Sequence, residues 1–165
     1  WLGVFTGVLD GNGHRIQHLT LTVNDGGYGG LIGMLGPGGE VKNLGLVDVN
    51  IIGSGYAIGA LVGSNDGTLT QCYSTGAVNG TSNVGGLVGC NERESVTRCF
   101  WDIQTSGQTT SAGGTGKTTA EMQTASTFLA AGWDFMGETA NGTEDIWWID
   151  EGKDYPRLWW QAAGP

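Results

Sequence analysis

The sequence predicts a mainly β fold: a short parallel β-solenoid of about four coils, followed by a small C-terminal α/β cap. Three observations support this. A five-residue segment rich in glycine occurs in three copies, and a second, apolar segment follows each copy. In addition, 32 of the 165 residues are glycine, whereas an ordinary protein has about 7% glycine. Because one coil cannot bury its apolar side alone, such repeats stack into a continuous core.

The repeated segments are residues 29–33 (GGLIG), 59–63 (GALVG) and 85–89 (GGLVG), whose closing glycines are 30 and then 26 residues apart. Glycine suits the corners of coils, which need positive φ or close backbone approach. The second, apolar element aligns in four copies and has two registers. One register contains Ile16, Val41, Leu69 and Val96, and the other contains Leu19, Leu44, Cys72 and Cys99.

This pattern divides the chain into three predicted segments. Residues 1–103 are predicted to form the solenoid, residues 104–118 a loop rich in Gly, Ser and Thr, and residues 119–165 a helix with a Trp-rich cap. Thr118 and Glu121 have the spacing of a capping box, which predicts a helix over residues 119–131 that ends at Gly132.

Residues 111–119 (SAGGTGKTT) have part of the phosphate-binding loop pattern, in which a glycine stands five residues before the Gly-Lys-Thr element. That position is Ser111, and the preceding residues are polar where a buried strand is required. The segment is therefore predicted to be a loop that leads into the helix.

Five of the seven tryptophans lie in the last third of the chain. Two interpretations stay open. The aromatic side chains form a lid over the terminal coil, or they offer flat faces on which sugar rings stack. The candidate stacking residues are Trp147, Trp148, Trp159 and Trp160.

The repeated segments, together with residues 71–80 (QCYSTGAVNG), resemble the GLUG motif of bacterial surface and adhesin-like proteins. The resemblance covers most of the chain, including residues 106–119 and the ending EGKDYPRLWW. It implies a structural or adhesive role and supplies no catalytic residues. The third copy departs from the pattern at residues 91–94 (NERE), where a bulge is expected.

The formal net charge of −9 disfavours nucleic acid and anionic membrane surfaces as partners. Since no apolar run approaches about 18 residues, no transmembrane helix is predicted. The excess of acidic side chains is compatible with a bound Ca²⁺ ion. Asp10 and Asn12 are weak candidate ligands, because their side-chain oxygens alternate along the chain. The Asn-Gly pair at the same place also favours a type I′ turn. No other cofactor is expected. A second acidic cluster, interpreted as a solvated loop, contains Asp145, Asp150, Glu151 and Asp154.

Cysteine and histidine do not indicate a catalytic or zinc site. His14 and His18 have the spacing of a zinc motif, but that motif requires a helix and a glutamate where Arg15 stands. Cys72 and Cys99 share a register one coil apart, within reach of a disulfide, but the favoured interpretation is two small buried side chains in a ladder. Cys90 has no predicted partner.

The predicted function is that of a non-enzymatic structural or adhesive protein, extracellular or on the cell surface, with self-association or other surface proteins as partners. If the first coil is open at Trp1, its strands can pair with another chain and form filaments end to end. The alternative is a glycan-binding module that uses the Trp-rich segment.

Overall fold

The structure is a computed structural model that describes residues 3–24, 26–92 and 95–162. It confirms a mainly β fold, a parallel β-solenoid of about three turns with small helices in its C-terminal part. The solenoid strands, in chain order, are β1 (Val8–Asp10), β2 (Arg15–Gln17), β3 (Thr20–Val23), β4 (Tyr28–Gly29), β5 (Ile32–Leu35), β6 (Glu40–Gly53), β7 (Ala57–Gly59), β8 (Val62–Asn65), β9 (Thr68–Gly80), β10 (Val84–Gly85), β11 (Val88–Asn91), β12 (Val96–Thr97) and β13 (Phe100–Asp102).

Three parallel sheets form the walls of the solenoid. The long wall has the order β1, β6, β9, β13, with β2 and β3 also paired to β6 and β12 to β9. The two short walls have the orders β4–β7–β10 and β5–β8–β11. About four coils were predicted from the sequence, because the segment that forms β12 and β13 was taken as part of a complete coil. In the structure these two strands add a fourth layer to the long wall only.

The glycine-rich repeats lie where the two short walls meet. Gly63 occupies this corner in the second turn, and a Cβ there would stand 2.7 Å from the Gly33 carbonyl oxygen and 2.8 Å from the Gly29 nitrogen. Since real Cβ contacts are never this short, a larger residue would push successive turns apart. The repeat therefore keeps glycine because the backbones approach closely.

The predicted register holds for the later turns and fails in the first. Val41 pairs with Leu69 and Leu69 with Val96, as predicted. Ile16, however, pairs with Leu46, and it is Leu9 that pairs with Val41. The alignment was wrong because the turn after β1, over residues 11–14, adds residues that the long wall of the next turn lacks.

One bend of the long wall repeats in three layers. Asn43, Gln71 and Arg98 all have left-handed backbone conformations, with φ of 51°, 51° and 56°. The bend presents polar groups outward to the C-terminal segment. Gln71 Nε2 donates to the Gly132 carbonyl at 3.1 Å, and the Trp133 indole N–H donates to the Arg98 carbonyl at 2.9 Å.

Residues 107–117, here called the closing segment, cover the C-terminal end of the solenoid. The segment follows helix α1 (Ile103–Ser106) and ends in strand β14 (Thr115–Lys117), which pairs in parallel with β13. The Ser111 hydroxyl accepts from the backbone N–H of Val88 at 2.9 Å, and the Ala112 N–H donates to the Val88 carbonyl at 2.9 Å. The part of the sequence that resembles a phosphate loop therefore pairs the last strand edges.

The predicted helix over residues 119–131 is two short helices, α2 (Thr119–Met122) and α3 (Ala125–Leu129). The capping box of Thr118 and Glu121 is present, and Gly132 follows the second helix with φ +81°. Thr124 interrupts the helix with an extended backbone, φ −127° and ψ 121°. The prediction of one helix was wrong because Glu151, from a distant loop, accepts the Ala125 N–H at 2.9 Å.

The rest of the C-terminal segment lies along the outer face of the long wall. It contains the antiparallel strands β15 (Trp147–Trp148) and β16 (Arg157–Leu158) and a 3₁₀ helix (Trp159–Ala162). A second apolar core joins this segment to the solenoid and comprises Tyr73, Phe100, Met122, Phe128, Trp133, Phe135, Trp147 and Ile149. The aromatic cap thus covers the flank, whereas the sequence predicted that it covers the terminal coil.

Candidate functional site

The four predicted stacking tryptophans do not form one platform. Trp147 is fully buried, with its ring centroid 4.7 Å from that of Trp133, so it offers no face to a ligand. Trp148 is half-buried, and the Arg157 guanidinium carbon lies 4.8 Å from its ring centroid. Trp159 and Trp160 are 46% and 54% exposed.

Trp159 lines a notch of about 200 Å³ together with Met136, Glu144 and Asp145. Asp145 has a left-handed backbone, φ 51°, and its Oδ1 accepts the Gly137 N–H at 3.0 Å. This hydrogen bond orients one carboxylate at the rim of the notch. The arrangement places an aromatic face beside two acidic side chains, which can accept hydrogen bonds from a polar ligand.

A larger cavity of about 410 Å³ opens at the N-terminal end of the solenoid, and it is here called the mouth. Its apolar lining comes from the first turn and comprises Val4, Leu21, Val23, Tyr28 and Met34. Within the described residues, β2, β3 and β4 have a paired strand on one side only. The predicted opening at Trp1 itself lies outside the described residues.

Asn12 and Gly13 are the central residues of the predicted turn, which spans residues 11–14 and follows Asp10. Asn12 and Gly13 both have positive φ, 47° and 78°, and the His14 N–H donates to the Gly11 carbonyl at 2.8 Å. Asp10 Oδ1 accepts from the Asn12 N–H at 2.9 Å and from Asn43 Nδ2 at 3.1 Å. That oxygen is therefore already engaged, and calcium binding at this turn stays a prediction.

The two histidines bond to different partners. His14 Nδ1 lies 2.8 Å from the Gly11 carbonyl oxygen, and His18 Nδ1 lies 2.9 Å from Asp48 Oδ2 in an exposed pair.

The residues of the second predicted acidic cluster also bond to different partners. Asp154 pairs with Arg15 and Arg157 at 3.0 and 2.8 Å. Asp154 thus holds the C-terminal segment against the first turn through Arg15. The other three carboxylates bond within the C-terminal segment, and these are Asp145, Asp150 and Glu151.

Cys72 and Cys99 stand in adjacent layers and are buried as free thiols, with the Cys72 N–H 3.4 Å from Cys99 Sγ. Burial raises the pKa of the Cys72 thiol well above its ordinary value, and the hydrogen bond with Cys99 is the second largest cause of this increase. Burial also raises the pKa of Cys90, with its hydrogen bond to Glu92 as the next cause. A disulfide between Cys72 and Cys99 stays a prediction, which a free-thiol count in denaturant tests.

Two negative findings apply to the residues that the structure describes. No group of three or more His, Cys, Asp and Glu side chains is arranged to hold a metal. No helix in this part of the chain is long and apolar enough to cross a membrane. The bulge expected over residues 91–94 falls partly on Arg93 and Glu94, which lie outside the described residues.

The fold, the stacked registers and the glycine corners define a repeat protein of the parallel β-solenoid class. Within it, residues 54–79 match the family model described as the GLUG motif, which confirms the resemblance seen in the sequence. This span contains β7, β8 and most of β9.

Two relatives share sequence with the chain. Halomucin of Haloquadratum walsbyi is 39% identical over 85 residues, or 52% of this chain. A putative Gly-rich membrane protein of Evansella cellulosilytica is 37% identical over 115 residues, or 66% of this chain. The matches span 1% and 12% of these two proteins. No solved structure gives a significant match.

Sequence reasoning missed most residues of the mouth and two residues of the notch, Met136 and Glu144, whereas it had named Trp159 and Asp145. Met136, Glu144 and Trp159 meet only because the antiparallel pair β15–β16 folds the chain back, which no local pattern reveals. The mouth had a signal, since Leu21 and Val23 alternate with polar Thr20 and Thr22 as in a strand with one buried face.

Proposed function

We propose that this chain is a non-enzymatic structural unit of an extracellular surface protein and that it associates with a second copy through the mouth. The repeat fold, the GLUG motif and the names of the two relatives, neither of which names an enzyme, support the structural part. The single observation that carries the association is that the described residues leave the apolar mouth open at one end, whereas at the other end the closing segment bonds to β13 and to residues 86–88.

The open end has the properties of an association surface. Strands β3 and β4 line the mouth and, within the described residues, have a paired strand on one side only, and such edges readily pair with another chain. The mouth between them is apolar, and Val4 at its rim is 41% exposed. A partner strand that pairs with these edges also covers the apolar lining, so hydrogen bonding and burial favour the same contact.

The closed end determines the kind of association. A filament requires two different surfaces that fit one another, whereas a two-fold pair uses the same surface twice. Among the described residues, the closing segment already occupies part of the last strand edges, since β14 pairs with β13 and both Ser111 and Ala112 bond to Val88. A pair of chains joined mouth to mouth is therefore favoured over the end-to-end filament that the sequence suggested.

Light scattering and electron microscopy of the purified chain, from micromolar to millimolar concentration, test this proposal. We expect a dimer. Val4→Lys should make the chain monomeric because it places a charge at the rim of the mouth. Val8→Lys is the matched control, since Val8 is also exposed, at 61%, but does not line the mouth. A monomeric wild type, regular filaments, or an equal effect of both variants would overturn the proposal.

We propose glycan binding at the notch as a second function, because Trp159 and two carboxylates converge there. An exposed indole suits the apolar face of a sugar ring, and carboxylates accept hydrogen bonds from its hydroxyl groups. Glu144 and Asp145 supply these acceptors. The volume of about 200 Å³ suits one ring and not an extended chain.

Tryptophan fluorescence titrated with a panel of oligosaccharides tests the second function. We expect saturable quenching that Trp159→Ala abolishes. Trp160→Ala is the matched control because Trp160 is equally exposed and does not line the notch. No quenching across the panel, or equal loss in both variants, would count against a sugar site at the notch.

A further inference from the structure

The loop between α3 and β15 wraps around carboxylates that lack a positive partner. Residues 134–145 (DFMGETANGTED) contain four acidic side chains and no Lys or Arg. The ion pairs of the described residues all lie elsewhere in the chain. An acidic loop on a protein of net charge −9 needs no special explanation, but two of these side chains, Asp134 and Glu138, each have one buried carboxylate oxygen.

Asp134 is only 7% exposed, and its Oδ1 is buried without a hydrogen-bond partner. Its other oxygen, Oδ2, accepts the Glu144 N–H at 2.8 Å. Glu138 repeats this arrangement. Its Oε2 accepts the N–H groups of Ala140 and Asn141 at 2.7 and 3.1 Å, and its Oε1 is buried and unpaired.

A buried carboxylate oxygen without a partner is unfavourable and calls for a proton donor or a cation. In this loop the backbone orients one oxygen of each carboxylate and leaves the second oxygen unpaired. Gly142 lets the loop close over Asp134, since a Cβ at that position would stand 2.3 Å from Asp134 Oδ2. The chain therefore holds these carboxylates in place at positions where no protein group neutralises them.

We propose that this loop binds one Ca²⁺ ion through Asp134 Oδ1 and Glu138 Oε1. Calcium takes six to eight oxygen ligands in a flexible geometry, and backbone carbonyls and water complete such a set. Two side-chain ligands are consistent with the absence of any preformed group of three among the described residues. The site is distinct from the turn of Asp10 and Asn12, and it does not depend on either proposed function.

Isothermal titration of the EDTA-treated chain with CaCl₂, paired with thermal unfolding, tests the proposal. We expect one ion per chain, a dissociation constant no weaker than about 10⁻³ M, which is the range of extracellular calcium modules, and a higher midpoint of unfolding with Ca²⁺. Glu138→Gln and Asp134→Asn should each weaken binding at least tenfold. Asp10→Asn is the matched control because it removes the same charge at the other candidate turn.

Three results would overturn the proposal. The first is no saturable heat up to about 10 mM Ca²⁺, well above the expected range, which would mean that buried water satisfies both oxygens. The second is full binding by a folded Glu138→Gln variant. The third is loss of binding in Asp10→Asn alone, which would assign the ion to the turn after β1. Because Glu138 is only partly buried, its variant remains informative if Asp134→Asn fails to fold.

Discussion

Tyr73 joins the two halves of the molecule at the residue scale. Its side chain projects from the outer face of β9 and is fully buried beneath the C-terminal segment. The hydroxyl donates to the Pro156 carbonyl at 2.6 Å, and burial raises the pKa of this phenol far above its ordinary value. The ring lies directly over Gly45 of the neighbouring strand, where a Cβ would stand 2.5 Å from its Cε1 atom.

Gly45→Ala should therefore lower the free energy of unfolding by about 1–3 kcal/mol, the usual range for an overpacked core. The Tyr73 ring cannot move aside, because Phe128, Trp133 and Trp147 surround it. Chemical denaturation followed by tryptophan fluorescence measures the change. Gly3→Ala is the control, since nothing lies within 4 Å of a Cβ built there. Equal stability of the two variants would contradict this account of the Tyr73 contact.

Asp102 connects the end of the solenoid to the same segment. It is fully buried and accepts from the backbone N–H groups of Gln104 and Thr105, which makes it the N-cap of α1. Its Oδ2 also accepts from the hydroxyls of Thr119 and Tyr155, at 2.7 and 2.8 Å. Burial is the largest cause that raises the pKa of Tyr155, and the hydrogen bond to Asp102 is the next largest. This carboxylate is thus fully paired, in contrast to Asp134.

Among the elements, the helices show which features local sequence determines. The capping box was predictable because Thr118 and Glu121 are three residues apart and bond to one another. The break at Thr124 was not predictable, since Glu151 and Gly152 provide the competing hydrogen bonds from a loop that only tertiary folding brings near.

The capping box also gives α2 a pH dependence. The Thr118 N–H, as the largest cause, lowers the pKa of Glu121. The stabilisation is therefore complete above the ordinary glutamate pKa of about 4.3 and is lost as the pH falls through the lowered value in the folded state. Thermal unfolding should show the wild type more stable than Glu121→Gln at neutral pH, with a gap that shrinks as the pH falls below the ordinary glutamate pKa of about 4.3. A gap that does not change with pH would show that the charge of Glu121 is not involved.

The closing segment is an element that the sequence identified only in part. Its Gly, Ser and Thr composition indicated a loop over residues 104–118, of which residues 104–106 lie in α1 and residues 115–117 in β14. Its role depends on Ser111 reaching Leu87 and Val88, and on Thr115 pairing with Phe100. No spacing within residues 107–117 encodes those contacts, because they are made with the preceding turn.

At the scale of the whole molecule, the repeat was predictable and its ends were not. Glycine spacing and apolar registers are local to each coil, so they indicated the solenoid and the pairing of Val41, Leu69 and Val96. The place of the aromatic segment was not encoded in this way. Whether Trp133 and Trp147 cover an end or a flank depends on which side chains of the solenoid they pack against, and Tyr73 and Phe100 lie in their cluster.

The central claim is that the two ends of the solenoid differ, with association confined to the mouth. Amide hydrogen exchange at low and high protein concentration tests this claim most directly, because it reports each strand edge separately. We predict that protection over residues 20–35 rises with concentration, while residues 107–117 are equally protected throughout. Protection gained over residues 107–117, or at no part of the chain, would contradict the claim.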